Sequence, residues 1–259
     1  MSAELLASRR DATLILTLSN PGARNALHPD MYAAGVEALS TAERDNEIRA
    51  VVLTGAGETF CAGGNLNRLL ENRSKERAVA ADSVGQLHAW IEALRDCAKP
   101  VIAAVEGPAA GAGFSLVLAC DLIVAAQSAQ FIAAYVKVGL SPDGGMSWAL
   151  SHSLPRQLAT EILIEGKPVS ATRLHAAGVV NRVVGDGQAL NAALDWSDEL
   201  ARLSPHAMDN IKSLLRDASS NSLQAQLAAE QQSFVECLHH RDGLEGITAF
   251  LEKRKPHYP

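Results

Sequence analysis

A chain of 259 residues, 47% hydrophobic and 20% charged, carries enough apolar surface for a sizeable core without disulfides, metals or fibrous repeats. Its formal net charge of -6, with basic residues scattered along the chain, excludes the basic stripe by which a nucleic-acid binder tracks phosphates. The four cysteines, Cys61, Cys97, Cys120 and Cys237, stand far apart with no C-x-x-C pair, which points to a reducing compartment.

From the N-terminus, Met1 to Asp11 holds only the short Leu5-Leu6 pair before Arg9 and Arg10, so no uninterrupted apolar stretch of an export signal is present and a cytoplasmic location is expected. Short β-branched runs then alternate with longer helical patterns. Strands are predicted at Ala12–Ser19, Ala50–Thr54, Val101–Val105 and Asp121–Ala126. Helices are predicted at Pro29–Asp45, where Met31, Ala34, Val36, Leu39 and Ala42 recur at near-helical spacing, and at Ala78–Asp96. The alternation predicts an α/β fold with parallel strands and crossover helices. The most apolar stretch, Val101 to Ala126, is broken by Glu106, Pro108 and Asp121, and reads as a buried core segment, with no membrane as partner. After about residue 185 the strand patterns stop. Ala189–Leu203, Pro205–Ala218, Leu223–His240 and Asp242–Lys253 read as successive helices, the last ended by Pro256. The expected organisation is a core over residues 1–190 and a helical region over 191–259 that serves oligomerisation.

Two segments carry the chemistry. In Val51-Val52-Leu53-Thr54-Gly55-Ala56-Gly57-Glu58-Thr59-Phe60-Cys61-Ala62-Gly63-Gly64-Asn65-Leu66 a buried strand runs into a glycine-rich loop whose backbone N–H groups can meet a ligand oxygen. In Pro100 to Phe114 a second strand ends in small residues that open a helix over Phe114–Cys120, and a helix start offers unsatisfied donors to an oxyanion. Neither loop has G-x-G-x-x-G or G-K-[ST], and Ser115 lies in G-F-S-L-V, outside a G-x-S-x-G elbow. With no H-x-x-x-H or H-E-x-x-H pair, a metal is not expected. Cys61 and Trp90 read as packing residues, and His239 and His240 as surface residues at a helix end.

The run Asn20-Pro21-Gly22-Ala23-Arg24-Asn25-Ala26-Leu27, then F-C-A-G-G-N-L, then A-x-x-G-x-A-x-G-x-G before Ala119-Cys120-Asp121, then Gly139-Leu140-Ser141-Pro142-Asp143-Gly144-Gly145, and the ending Ala249 to Pro256 resemble the crotonase (enoyl-CoA hydratase/isomerase) superfamily along essentially the whole chain. The resemblance implies a spiral of β-β-α units, a helical C-terminal region that builds a homotrimer or a dimer of trimers, and a place in fatty-acid metabolism. It implies an acyl-CoA substrate, with coenzyme A as part of that substrate and no separate cofactor. By the same resemblance the oxyanion hole falls on the N–H groups of Gly64 and Ala112. Ala23, Arg24, Ala62 and Leu66 match positions that line the CoA site, and Phe250 and Lys253 match C-terminal positions that touch CoA, in some members across a subunit interface.

Hydratases of the superfamily use two glutamates, and the matching positions here are Ser115 and Tyr135, so the usual paired-glutamate hydration is not expected, and an enoyl-CoA hydratase-like lyase stands as a reading behind an isomerase. Asp143 matches a catalytic aspartate of dienoyl-CoA isomerases and aryl-CoA dehalogenases. A single carboxylate beside a stabilised dienolate can move a proton between two carbons, which is isomerisation. Two other readings stand beside it. His88 and Tyr135 resemble residues of chlorobenzoyl-CoA dehalogenases, where Asp143 would attack the ring and His88 would activate water; as plain residues they are a helix-face histidine and a pocket wall. A non-catalytic acyl-CoA binding protein would keep the loops and use Asp143 only to cap the helix that starts near Gly144.

Overall fold

The computed structural model describes residues 3–258, so the reading of the N-terminal stretch falls outside the described residues at Met1 and Ser2. It divides into two compact units, residues 1–197 and 198–259. The division falls inside helix α8 (Ala189–Leu200), whereas the expected one lies after residue 190.

Two sheets organise the first unit. Strands β1 (Glu4–Arg10), β2 (Thr13–Ser19), β3 (Ala50–Gly55), β4 (Val101–Val105), β6 (Leu122–Ala126) and β9 (Arg182–Val184) form a six-stranded sheet in the order β1-β2-β3-β4-β6-β9. Strands β5 (Pro108–Ala110), β7 (Gln130–Ile132) and β8 (Pro168–Ser170) form the smaller one. Every residue of β4 and the first five of β3 are buried, as for strands covered on both faces, which is why they read as unbroken apolar runs. The expectation of parallel strands holds from β2 to β9, but β1 pairs antiparallel with β2 and β8 antiparallel with β7. In the orders β1-β2-α1 (Pro29–Arg44) and β4-β5-α4 (Ala112–Ala119) two strands precede a helix, and β4 and β6 lie in the large sheet while β5 and β7 lie in the small one. The loop after β3 has no full strand in the small sheet; Cys61 makes a single parallel bridge to Ala109 instead.

Helix α1 starts at Pro29, whose missing N–H costs nothing at a helix start. It buries Met31, Tyr32, Gly35, Leu39 and Ala42. The long helix α3 (Arg77–Asp96), which follows α2 (Leu66–Arg73), buries Leu87, Trp90, Ile91 and Leu94. A Cβ on Gly35 would stand 2.2 Å from the Trp90 indole, and Trp90 is completely buried. Gly35→Ala therefore sets a helix-propensity gain of about 1 kcal/mol against an overpacking cost of about 1–3 kcal/mol. The ring has no free side to move into, so the overlap wins. Urea unfolding should show Gly35→Ala less stable than the native chain; a more stable variant would mean that the α1–α3 contact is loose.

Beyond β7, α5 (Met146–Ser153), α6 (Arg156–Glu165) and α7 (Ala171–Ala176) complete the first unit before α8. The second unit contains α9 (Pro205–Ala218), α10 (Leu223–His239) and α11 (Arg241–Leu251). His240, expected as a plain surface residue, caps α11 through Nδ1, which accepts from Asp242 N–H, and its ring stacks on His206 with centroids 3.9 Å apart. Within the chain the apolar residues Leu223, Leu227, Phe234 and Leu238 stay exposed. All four cysteines are free, and no helix among the described residues is long and apolar enough to cross a membrane.

Candidate active site

The segment Asn20 to Leu27 lies on the glycine-rich loop after β3. Buried Asn25 accepts from Asn20 N–H and donates to the Ala56 and Thr59 carbonyls, so one side chain ties the segment to the loop. The Ala62 N–H donates to the Arg24 carbonyl and the Leu27 N–H to the Gly63 carbonyl, which seats Gly64 opposite Leu27. Arg24 and Asn25 both take positive φ, 51° and 57°, and this turn brings Ala23, Arg24 and Ala62 together.

The second loop meets the first. Cys61 N–H donates to the Pro108 carbonyl and Ala110 N–H to the Cys61 carbonyl. Gly63 has φ 90°, and a Cβ there would lie 2.7 Å from the Ala110 carbonyl oxygen and 3.5 Å from the Ala112 nitrogen. Only glycine fits, and its absence of a side chain sets the two loops in contact. Gly111 (φ 50°) turns the chain into α4, which begins at Ala112 rather than at the expected Phe114. Neither Gly64 N–H nor Ala112 N–H donates to any group of the described residues. Two neighbouring backbone donors, one at a helix start, are thus left unengaged, an arrangement chemically suited to a developing oxyanion. Cys61 is buried beside this loop; its Sγ accepts from Gly63 N–H at 3.3 Å, and burial pushes its thiol up to about 12, which keeps it a neutral packing group.

Four candidate side chains converge beside this pair. Ser115, on α4, donates from Oγ to the Asp143 carbonyl at 2.9 Å. Tyr135, in a 3-10 turn over Ala134–Val138, donates from Oη to Asp143 Oδ1 at 2.6 Å. Burial, followed by the charge of Asp143 and this hydrogen bond, raises the Tyr135 hydroxyl far above the ordinary tyrosine value, so it remains a donor. A Cβ on Gly111 would lie 3.9 Å from Tyr135 Cζ, so the ring spans from the start of α4 to the carboxylate. His88 Nε2 accepts from Gly144 N–H at 3.3 Å, which places its proton on Nδ1.

Asp143 does not cap a helix. Helix α5 starts at Met146 with Gly145 at its N-cap and no side-chain cap, and the Asp143 carboxylate turns to Tyr135 instead. Gly144 (φ 59°) makes that turn possible, since a Cβ there would lie 2.8 Å from Ser115 Cβ. Oδ2 of Asp143 accepts from no described residue.

Leu66 opens α2, and with Leu69, Leu70, Val84, Val138 and Leu140 it lines a cavity of about 500 Å³. A smaller one, about 160 Å³, lies behind Ser115 and Gly144 against Ile91 and Trp148. Trp90 is core, as expected. Phe250 and Lys253 belong to the second unit; Phe250 is 83% exposed and Lys253 has φ 56°. Two polar residues that the sequence did not single out, Tyr32 and Arg68, have side chains that make no hydrogen bond with described residues. Among the described residues no group of His, Cys, Asp and Glu is placed to hold a metal ion.

Known proteins share this layout. The family model for enoyl-CoA hydratase/isomerase matches residues 9–259. A crystal structure of an enoyl-CoA hydratase from Polaromonas sp. JS666 superposes with a TM-score of 0.98 at 55% identity, covering 99% of this chain and 100% of that one. The 2,3-dehydroadipyl-CoA hydratase of Escherichia coli K12 is 37% identical, over 98% of both chains. The 1,2-epoxyphenylacetyl-CoA isomerase of the same organism is 34% identical, over 98% of this chain and 97% of its own. With its β-β-α units, its helical C-terminal region and two free donors at the meeting of two glycine loops, this chain belongs to the enoyl-CoA hydratase/isomerase family of the crotonase superfamily.

Proposed function

We propose that this enzyme isomerises a 3-enoyl-CoA to the conjugated 2-enoyl-CoA. The thioester oxygen accepts from Gly64 and Ala112 N–H, which stabilise the dienolate. Asp143 removes the proton from the α-carbon and returns it to the γ-carbon; one C–H bond breaks, one forms, and the double bond moves between them. The observation that carries the reading is the 2.6 Å hydrogen bond from Tyr135 to Asp143 Oδ1, which fixes the carboxylate and leaves Oδ2 for the proton. The two positions where a hydratase would hold glutamates are filled by Ser115 and Tyr135, and both hold Asp143 in place. Similar proteins include both a hydratase and an isomerase, and the side chains of this site favour the isomerase reading.

For the dehalogenase alternative, His88 would need a free nitrogen lone pair for water, yet Nε2 is already engaged by Gly144 N–H. That favours a role in holding the loop that carries Asp143. We further propose that Ala23, Arg24, Ala62 and Leu66 line the CoA channel. The exposed apolar residues of α10 support a homotrimer or dimer of trimers in which Phe250 and Lys253 reach CoA, in a cytoplasmic enzyme.

Incubation with 3-hexenoyl-CoA should give 2-hexenoyl-CoA, read as the growth of conjugated-thioester absorbance, with little 3-hydroxyhexanoyl-CoA by chromatography. Predominant 3-hydroxyacyl product, turnover of 4-chlorobenzoyl-CoA alone, or tight binding of all these thioesters with no product would each overturn the reading.

A further inference from the structure

The apolar stripe of α2 is not covered by the core. Leu66, Leu69 and Leu70 stand at i, i+3 and i+4, on one side of a helix, yet all three are exposed, Leu70 at 65%, and the only buried residue of α2 is Asn72. A stripe with this spacing ordinarily packs inward. Here Leu69 and Leu70 line the cavity of about 500 Å³, whose other walls include Val84 of α3 and the exposed Val138 and Leu140. Apolar side chains from three elements that converge on one cavity of this size make a site for an apolar ligand.

The cavity adjoins the catalytic cluster. A Cβ on Gly64 would lie 4.0 Å from Leu69 Cδ1, so Leu69 packs against the residue that supplies one of the two free donors. Leu140 N–H donates to the Tyr135 carbonyl at 3.0 Å, so the wall made by Val138 and Leu140 belongs to the turn that carries the partner of Asp143. Val84 precedes His88 by four residues, so the two lie on the same face of α3. An acyl group whose thioester oxygen meets Gly64 therefore has Leu69 and the cavity beside it.

We propose that the carbons of the acyl chain beyond the γ-carbon run past Leu69 into this cavity, so that Leu69 and Leu70 set the chain preference and the enzyme selects linear, apolar acyl groups of medium length over short ones. The inference rests on the reading of Gly64 as a donor to the thioester oxygen. Four carbons suffice for the reaction, because the proton moves between the α- and γ-carbons, and every further methylene adds binding alone. Each one leaves water for the leucine-lined cavity, which tightens binding by about 2–4-fold, the upper figure holding for a methylene buried on all sides.

The test uses saturated thioesters, which cannot isomerise, so a chain preference in a protein that proves to be no isomerase would sink the reaction and leave this subsite standing. By titration calorimetry the affinity of the native protein should climb from butanoyl-CoA through hexanoyl-CoA to octanoyl-CoA, by about 10-fold or more across the series. Leu70→Asp puts a carboxylate into the apolar lining at an exposed position, where the fold loses little; it should bring octanoyl-CoA down to the level of butanoyl-CoA and leave butanoyl-CoA within about 2-fold. Leu70→Met keeps the lining apolar and should keep the preference. Equal affinities across the series in the native protein overturn the proposal without any variant, and leave the leucine stripe to a partner chain. A preference that survives Leu70→Asp overturns it too. So does equal weakening of all three thioesters by Leu70→Asp, because the cavity would then hold part of coenzyme A.

Discussion

Asp143→Asn should lower kcat for 3-enoyl-CoA isomerisation by about 10²–10⁴-fold, the range for loss of a positioned acid–base group. Asparagine keeps an oxygen to accept from Tyr135 Oη, so the 2.6 Å contact and the loop through Gly144 and Gly145 can survive while proton affinity is lost. KM should change far less than kcat, because the carboxylate acts on the α-proton and not on the nucleotide. The competing account, in which Asp143 only caps a helix, expects normal turnover and little change in stability, because asparagine caps a helix about as well as aspartate. Thermal unfolding with the kinetic assay separates the two: an active Asn variant removes Asp143 from the chemistry, whereas an inactive one with a native melting temperature places it there. Isotope transfer gives an independent readout, since deuterium placed on the α-carbon of the substrate should be carried to the γ-carbon of the product with the native enzyme and not with the variant.

How much of this was legible in the sequence differs by element, for physical reasons. Strands β3 and β4 announce themselves because both faces are covered, and the bounds of β4 and α9 match the pattern to the residue. Strand β1 has no such signal: five of its seven residues are exposed, and it holds its place through the ladder with β2 rather than through burial. Strands β5, β7, β8 and β9 are three residues long, too short for alternation to show. Helix α2 escapes because its three leucines are exposed and its only buried residue is Asn72, the reverse of the pattern that marks a core helix. In the site, Gly63 and Gly111 are visible as glycines because backbone angles forced the choice. The partner of Asp143 is not visible. Capping and catalysis ask for the same residue type at the start of a helix, and only the turn at Gly144, with Tyr135 arriving from the preceding 3-10 segment, separates them. Tyr32 lies within the predicted helix but outside the spaced apolar set Met31, Ala34, Val36, Leu39 and Ala42, and its burial appears only in the fold.

The oxyanion donors can be tested one at a time at Ala112, because it is the first residue of α4 and proline is well accommodated there. Ala112→Pro deletes one N–H and keeps the helix, whose first internal bonds run from Phe114 and Ser115 to the Gly111 carbonyl and need nothing from residue 112. Loss of one such donor typically lowers kcat by about 10²–10³-fold, a cost of about 2.7–4 kcal/mol in the transition state. The proline Cδ also occupies the space in front of the former donor, so KM should rise as well. Ala112→Gly is the control: it keeps the N–H, removes only a buried methyl, and should retain turnover within about 10-fold, since a truncation of that size costs about 1 kcal/mol. If proline and glycine variants fall alike, the methyl's packing at the start of α4 is what matters and the N–H is not a donor to the reaction. If proline alone abolishes turnover while far-ultraviolet circular dichroism stays native, the charge on the thioester oxygen is carried by the backbone of this helix start. The same pair of loops would then bind any acyl-CoA enolate, and the identity of the reaction rests on the one carboxylate that Tyr135 holds beside them.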